Sequence, residues 1–354
     1  YHTMPSDMLN SLTIWMTSQD ATVDIYGIDT PWVTQFGRGG WAVPLNDKLP
    51  MLDENFEEAG LDTFSYNGER LGVPFWGSVA GLYYRTDILE EYGFDEPETL
   101  NDIVEICRKV KQEQPDMMGF VWPGARQERL VMAYSTFLYA FGGSYTDSNG
   151  DYAFDSEESI EAVQFMRTLI EEGLSPRTAV NWTSQEAFPP FRDGKAVFLW
   201  DNQDKFPRLA NPENSEVVGN WDFIPFPAMP DGESVSITGG FAFAANPYSK
   251  NPDAAIKVLE IIAGKAVQKN FALAWGPVQY YKGLYQDEEV KEYNPNTDKL
   301  PPVLKVTKNR PPSENYAELS SIIRQGVNAV ITGTRSAEAA MQNVNKRAMT
   351  LKKD

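Results

Sequence analysis

Apolar and polar residues alternate with period two through Thr22-Val23-Asp24-Ile25-Tyr26-Gly27-Ile28 and stop at Asp29 and Thr30, which predicts a strand with a polar end. Residues 71–85 predict a long extended stretch containing Pro74 and three glycines. It ends on Gly81-Leu82-Tyr83-Tyr84-Arg85. Thr99 then predicts an N-cap with Asp102 at N3, because Leu100, Ile103, Val104, Cys107 and Val110 recur at helical spacing. Asp155, with Glu158 three residues on, predicts the cap of a second helix. That helix carries Ile160, Val163, Met166, Leu169 and Ile170 on its apolar side and stops at Gly173.

Ala196-Val197-Phe198-Leu199-Trp200 and Trp221-Asp222-Phe223-Ile224 predict buried strands, and residues 236–244 predict another, broken by Gly239-Gly240. Asn251-Pro252-Asp253 opens a helix with Pro at N1 that Gly264 closes. Two more helices end the chain, separated by Thr332-Gly333-Thr334, the second capped by Ser336. Strands alternate with helices throughout, an α/β architecture in more than one lobe. Residues 293–302, rich in Pro and Asn, are the best linker, and residues 211–220 predict a surface loop.

Composition narrows the function. The 354 residues include 31 Lys or Arg and 50 Asp or Glu, a formal charge of −19, and the few basic residues form no cluster. A phosphate-neutralising partner needs a cationic face, so nucleic acid is not an expected partner. No apolar run approaches the roughly 18–20 residues of a membrane span. The single cysteine, Cys107, excludes an intrachain disulfide and a cysteine-based zinc cluster, and at its helical position it reads as a buried core thiol. The single histidine, His2, sits near a terminus, which argues against a histidine relay or a histidine metal site. No cofactor and no metal are expected. Nine Trp in an acidic chain suggest flat apolar faces beside carboxylates, a chemistry suited to sugars.

Several motifs carry no function. Gly37-Arg38-Gly39-Gly40 lacks the spacing and the Lys-Ser/Thr pair of a phosphate loop, opens no clear helix and reads as a plain turn. Asn181-Trp182-Thr183 matches a glycosylation sequon, a triplet common by chance. The acidic pairs Asp53-Glu54, Glu57-Glu58, Glu171-Glu172 and Glu288-Glu289 read as solvated helix faces and ends.

The informative residues lie at strand ends, where α/β folds place ligand crevices. Asp29 and Trp32 follow the first strand; Trp76 and Ser78 lie near Pro74; Trp200 and Asp201 end another strand. Gly240 and Phe241 add a backbone amide and a ring, as do Trp275 and its neighbours Gly276-Pro277, while Arg310 precedes the terminal helix pair. A sugar offers hydroxyls at its edge and C–H groups on its face, so carboxylates and Arg suit the edge and aromatic rings the face. Arg310 has a further role open to it, holding a site carboxylate such as Asp29 or Glu128 in its ionised form. Each has a plainer alternative: Trp32 as core, Asp29 as a helix cap, Arg310 as a surface ion pair.

At these residues the chain resembles the extracellular solute-binding proteins of ABC sugar importers, most of all the maltose/trehalose type. Asp24-Ile25-Tyr26-Gly27-Ile28-Asp29-Thr30-Pro31-Trp32 and Gly40-Trp41-Ala42-Val43-Pro44-Leu45 carry the early part of the likeness. Gly72-Val73-Pro74-Phe75-Trp76, Leu82-Tyr83-Tyr84-Arg85-Thr86-Asp87, Phe191-Arg192-Asp193-Gly194-Lys195-Ala196-Val197, Gly239-Gly240-Phe241, Arg310-Pro311-Pro312 and Tyr316 continue it in the family's order. Family members begin with a further strand and helix before the position of Tyr1. Where they carry a carboxylate after the Pro-Trp-Phe-like turn, this chain has Ser78.

The resemblance implies a two-lobed, periplasmic-binding-protein-like α/β fold with a hinge and an interlobe ligand cleft. One lobe would take residues 1–86 and 239–289, the other 87–238 and 290–354. It implies a non-enzymatic receptor that captures a mono- or small oligosaccharide by hinge closure and delivers it to the membrane permease subunits of an ABC importer. A monomer is expected, periplasmic or extracellular, with a lipid anchor on a segment preceding this chain as one arrangement. The alternatives are a carbohydrate-active hydrolase or lyase using a carboxylate pair, and a binding protein for peptides or polyamines.

Overall fold

The computed structural model describes residues 5–276, 278, 280–311 and 313–352, and for residues 5–7 and 275 the backbone only. Its chain divides into two compact units. The first comprises Tyr1–Ser78, Thr238–Thr297 and Pro311–Ala317; the second comprises Val79–Ile237, Asp298–Arg310 and Glu318–Asp354. The crossings therefore fall at 78/79, 237/238, 297/298, 310/311 and 317/318, against 86/87, 238/239 and 289/290 expected from the resemblance. The crossing at 297/298 lies inside the Pro- and Asn-rich stretch.

In the first unit, strand Ile25–Asp29 runs antiparallel to Ser236–Ala245, with Ile25 opposite Ala245 and Asp29 opposite Phe241. Strand Val73–Arg85 is the next neighbour of Ser236–Ala245. The first strand starts at Ile25 rather than Thr22, because the Asp20 side chain takes the Thr22 N–H (2.6 Å) and bends the chain before pairing begins. Leu9, Leu12 and Met16 of helix Pro5–Thr17 pack with Ile28, Trp32, Phe36 and Phe64 on one side of this sheet. Leu45, Leu52, Phe56, Val73 and Leu259 form a second cluster. Gly37-Arg38-Gly39-Gly40 is not a free-standing turn. It closes helix Val33–Gly39, and Gly40 takes the left-handed conformation (φ 61°) that ends a helix without a Cβ penalty.

The second unit is built on strands Trp221–Ile224, Val73–Arg85, Ala196–Asn202 and Met118–Val121 in that order, the last two parallel and the other pairs antiparallel. Helix Leu100–Glu113 begins with the expected capping box: Asp102 N–H donates to Thr99 Oγ1 and Thr99 N–H to Asp102. The cap of helix Glu157–Glu171 is Ser156, not Asp155, since only Ser156 stands three residues before an N–H it can accept, that of Ser159. Gly264 caps the start of helix Lys265–Trp275, which follows directly on Pro252–Ile262. Helices Tyr316–Ile331 and Ala337–Thr350, the latter capped by Ser336, close the chain. Their close approach rests on Gly326, where a Cβ would stand 2.1 Å from Val344 Cγ2.

Cys107 is fully buried among Ile103, Ile106, Val110 and Phe120, and burial pushes its thiol well above the usual range. Thiol-specific reagents are therefore expected to leave the native protein unlabelled and to label it stoichiometrically in denaturant. Rapid labelling of the folded protein would contradict the packing described.

Candidate functional site

Asp29 ends its strand nearly buried, 5% exposed, with the Thr30 hydroxyl donating to its Oδ1 at 3.3 Å. It does not cap the short turn that follows it through its side chain, so the helix-cap alternative falls away. The strand register sets Asp29 opposite Phe241. The Phe241 ring meets Trp32 edge-on at 6.3 Å and Trp76 at 5.9 Å, so Asp29, Trp32, Trp76 and Phe241 are brought together. Their exposure divides the work. Trp32 is 3% exposed and stacks on Phe36 at 6.4 Å, so it buttresses Phe241 from the core. Trp76 and Phe241 are half-buried and retain accessible ring surface.

Gly240 permits this juxtaposition. A Cβ there would stand 2.7 Å from the Trp76 carbonyl oxygen, so any larger residue would part the two strands before it could affect a ligand. Ser78 is buried, 2% exposed, at the last position of its segment of the first unit. Trp275 is the final residue of helix Lys265–Trp275, which Gly276 ends with φ 58°; the Trp275 side chain, Pro277 and Pro312 lie outside the described residues.

The second unit gathers another set. Arg310, whose side chain is 3% exposed, donates from Nη1 to Glu128 Oε1 at 3.0 Å, and the Ser320 hydroxyl donates to Glu128 Oε2 at 2.6 Å. Arg310 is thus no surface ion pair: its buried guanidinium holds a carboxylate that is itself 25% exposed. Of the two carboxylates it was expected to serve, the described contact is with Glu128.

Trp200 and Asp201 are both wholly buried. Trp200 lies in the hydrophobic core with Leu82, Phe198 and Ile237 and presents no accessible face. Asp201 sits between two cations, Arg129 Nη2 at 3.6 Å from Oδ1 and Lys205 Nζ at 3.6 Å from Oδ2. Asn202 N–H (2.8 Å) and the Ser184 hydroxyl (3.2 Å) also donate to Oδ1. Burial alone would raise the Asp201 carboxyl, but Lys205, Arg129 and these hydrogen bonds outweigh it and hold the group below the ordinary carboxylate range. Lys205 has its own closer partner, Asp204, at 2.6 Å.

Arg129, Ser184, Lys205 and Ser320 were not singled out from the sequence. Lys205 was signalled by its i+4 spacing from Asp201, and Ser184 by the Thr183-x-x-Glu186 capping box around it. Arg129 had no such signal, because helix Glu128–Ala140 is buried on almost every side, with only Glu128, Arg129 and Tyr139 less than fully buried.

The family model for bacterial extracellular solute-binding proteins matches residues 1–269. The chain belongs to that family. A probable ABC transporter-binding protein of Deinococcus radiodurans is 25% identical to this solute-binding protein over 340 residues, 93% of this chain and 80% of its own. The maltodextrin-binding protein MdxE of Bacillus subtilis is 25% identical over 239 residues, 63% of this chain and 52% of its own. Among solved structures, maltose-bound MalE3 of T. maritima shares the fold with a TM-score of 0.89 at 27% identity, covering 98% of this chain and 89% of that one. Family and fold are those of substrate-binding receptors. No helix among the described residues is long and apolar enough to cross a membrane.

The depressed Asp201 carboxyl has a signed consequence. A group whose folded value lies below its unfolded value contributes stability in full above the unfolded value, about 3.9, and loses it as pH falls through the folded one. Asp201→Asn is expected to be less stable than wild type at pH 7 and to lose stability less steeply below about pH 4. Denaturant melts from pH 7 to pH 2 check this. Parallel acid limbs for the two proteins would show that ionised Asp201 does not stabilise the fold.

Proposed function

We propose that this solute-binding protein captures a mono- or small oligosaccharide outside the cytoplasm and presents it, unchanged, to the membrane permease of an ABC importer. The observation that carries the reading is the half-buried pair Trp76 and Phe241, with the Asp29 carboxylate in register opposite Phe241. Aromatic faces offer apolar area to the C–H side of a sugar ring, and an ionised carboxylate accepts from two adjacent hydroxyls. The maltose-bound relative in the same fold supports this choice of ligand. Capture by hinge closure accords with strands Val73–Arg85 and Ser236–Ala245, each of which passes from one unit to the other. A periplasmic or surface location, a lipid anchor preceding this chain and a monomeric state belong to the same reading.

A thermal-shift screen over maltose, trehalose, glucose, arabinose and ribitol is expected to raise the melting temperature for at least one compound. Binding to the folded state alone adds RT ln(1 + [L]/Kd), about 2.7 kcal/mol at a hundredfold excess over Kd. Chromatography of the incubated sugar is expected to return it intact. Cleaved product would move the protein to the hydrolases, and a screen without any shift would remove carbohydrate from the reading.

Asp29→Ala is expected to weaken binding of the best sugar in that screen by more than about tenfold, the scale of a charged hydrogen bond. The melting temperature of the free protein should change little. Intact affinity with a large loss of stability, by calorimetry on both proteins, would make Asp29 a structural residue.

A further inference from the structure

Met118–Val121 and Ala196–Asn202 are parallel, with Val121 opposite Leu199, so their carboxyl ends lie side by side in the second unit. Open α/β sheets put ligand crevices at such ends. The chain leaving the first of these strands enters helix Glu128–Ala140, whose second residue is Arg129; the end of the other strand holds Asp201. The contact between Arg129 Nη2 and Asp201 Oδ1 joins the two ends.

The two members of that pair differ in a way that points to a ligand. Asp201 is wholly buried and held by Ser184 and Asn202. The Arg129 side chain is 21% exposed, and its only other described contact is a weak one, Nη1 to Met132 Sδ at 3.9 Å. A guanidinium carries five N–H donors in a rigid fork. Here one edge is steered by a fixed buried carboxylate while most of the fork has no described protein acceptor. Charge fixes what the fork can receive. Among the contacts described, Arg129 stands against Asp201, Lys205 against Asp204 and Arg310 against Glu128, each cation beside its own carboxylate. An anionic ligand would bring a further negative charge to a row already compensated, whereas a hydroxyl brings an acceptor without one.

We propose that Arg129 is a ligand-contacting residue of the second unit, oriented and neutralised by Asp201 as a positioning residue, and that it selects neutral polyhydroxylated ligands over acidic sugars. The assignment rests on the carbohydrate reading above and names the ligand class of that function.

Isothermal titration of the full chain with maltose, glucose, ribitol and D-glucuronate tests it, on wild type, Arg129→Lys, Arg129→Gln and Asp201→Asn. Wild type is expected to bind at least one neutral probe more tightly than glucuronate. Both Arg129 variants should lose about tenfold or more of that affinity, since an ammonium cannot reproduce the fork. Arg129→Lys, which keeps the charge beside Asp201, should melt close to wild type, whereas Arg129→Gln should also melt lower because it takes one of two cations from the buried carboxylate. Asp201→Asn should raise the ratio of glucuronate to neutral-probe affinity by about tenfold, because it leaves Arg129 and Lys205 with one carboxylate fewer. Should that variant fail to fold, Ser184→Ala, which removes one bond to Asp201, is expected to weaken neutral-probe binding about twofold to fivefold. Wild-type affinity in Arg129→Lys, or lower stability with unaltered binding in Arg129→Gln, would overturn the proposal while leaving the carbohydrate reading in place. Absence of binding by every probe to wild type would overturn both.

Discussion

Strand Val73–Arg85 must satisfy its backbone on both edges, because almost every residue along its thirteen positions is shielded from water. Its second half does so between Ala196–Asn202 and Trp221–Ile224, with Leu82 opposite Trp200 on one side and Ile224 on the other. Much of the rest is set by that demand. The strand that pairs Leu82 with Trp200 ends at Asp201 and Asn202, and the wholly buried Tyr83 sends its hydroxyl to the Asn202 carbonyl at 2.6 Å. In its first half, Trp76 is brought against Gly240, which fixes where the rings of Trp76 and Phe241 meet.

A second constraint is electrostatic. A net charge of −19 would favour stray repulsion, yet three cations of the second unit each stand beside a carboxylate: Arg310 and Glu128, Lys205 and Asp204, Arg129 and Asp201. Such pairs are weak evidence for net stability, since desolvation consumes much of the Coulomb gain. Their use here is positional. Two of the three tie together parts of the chain far apart in sequence, with Glu128 reaching both Arg310 and Ser320 and Asp201 reaching Arg129, while Lys205 and Asp204 are chain neighbours.

The same arithmetic separates residues of one chemical type. Trp32, Trp76 and Trp200 look alike as aromatic residues near strand ends. Trp200 is absorbed by the hydrophobic core, Trp32 supports a neighbouring ring from within, and Trp76 keeps accessible surface. Asp29 and Asp201 are likewise both carboxylates at strand ends, but one lies in register with a half-buried ring and the other between two cations, the buried Lys205 and the partly exposed Arg129.

Local rules determined the α/β class and many of the elements. Period-two alternation marked the strand ending at Asp29, the Thr99 capping box opened its helix, and Pro252 and Ser336 stood where helices begin. Those signals are written in neighbours a few residues apart, which is the range over which capping and amphipathic periodicity act. Helix Glu128–Ala140 escaped because it is buried on nearly all sides. The site was legible as a set of residue types and no further. Exposure and partnership depend on side chains that meet across gaps of 182 residues for Arg310 and Glu128, or 192 for Ser320 and Glu128. Only the folded chain decides which tryptophan faces solvent and which carboxylate is already neutralised, because desolvation and Coulomb energy are set by distance in space and not by order in the sequence.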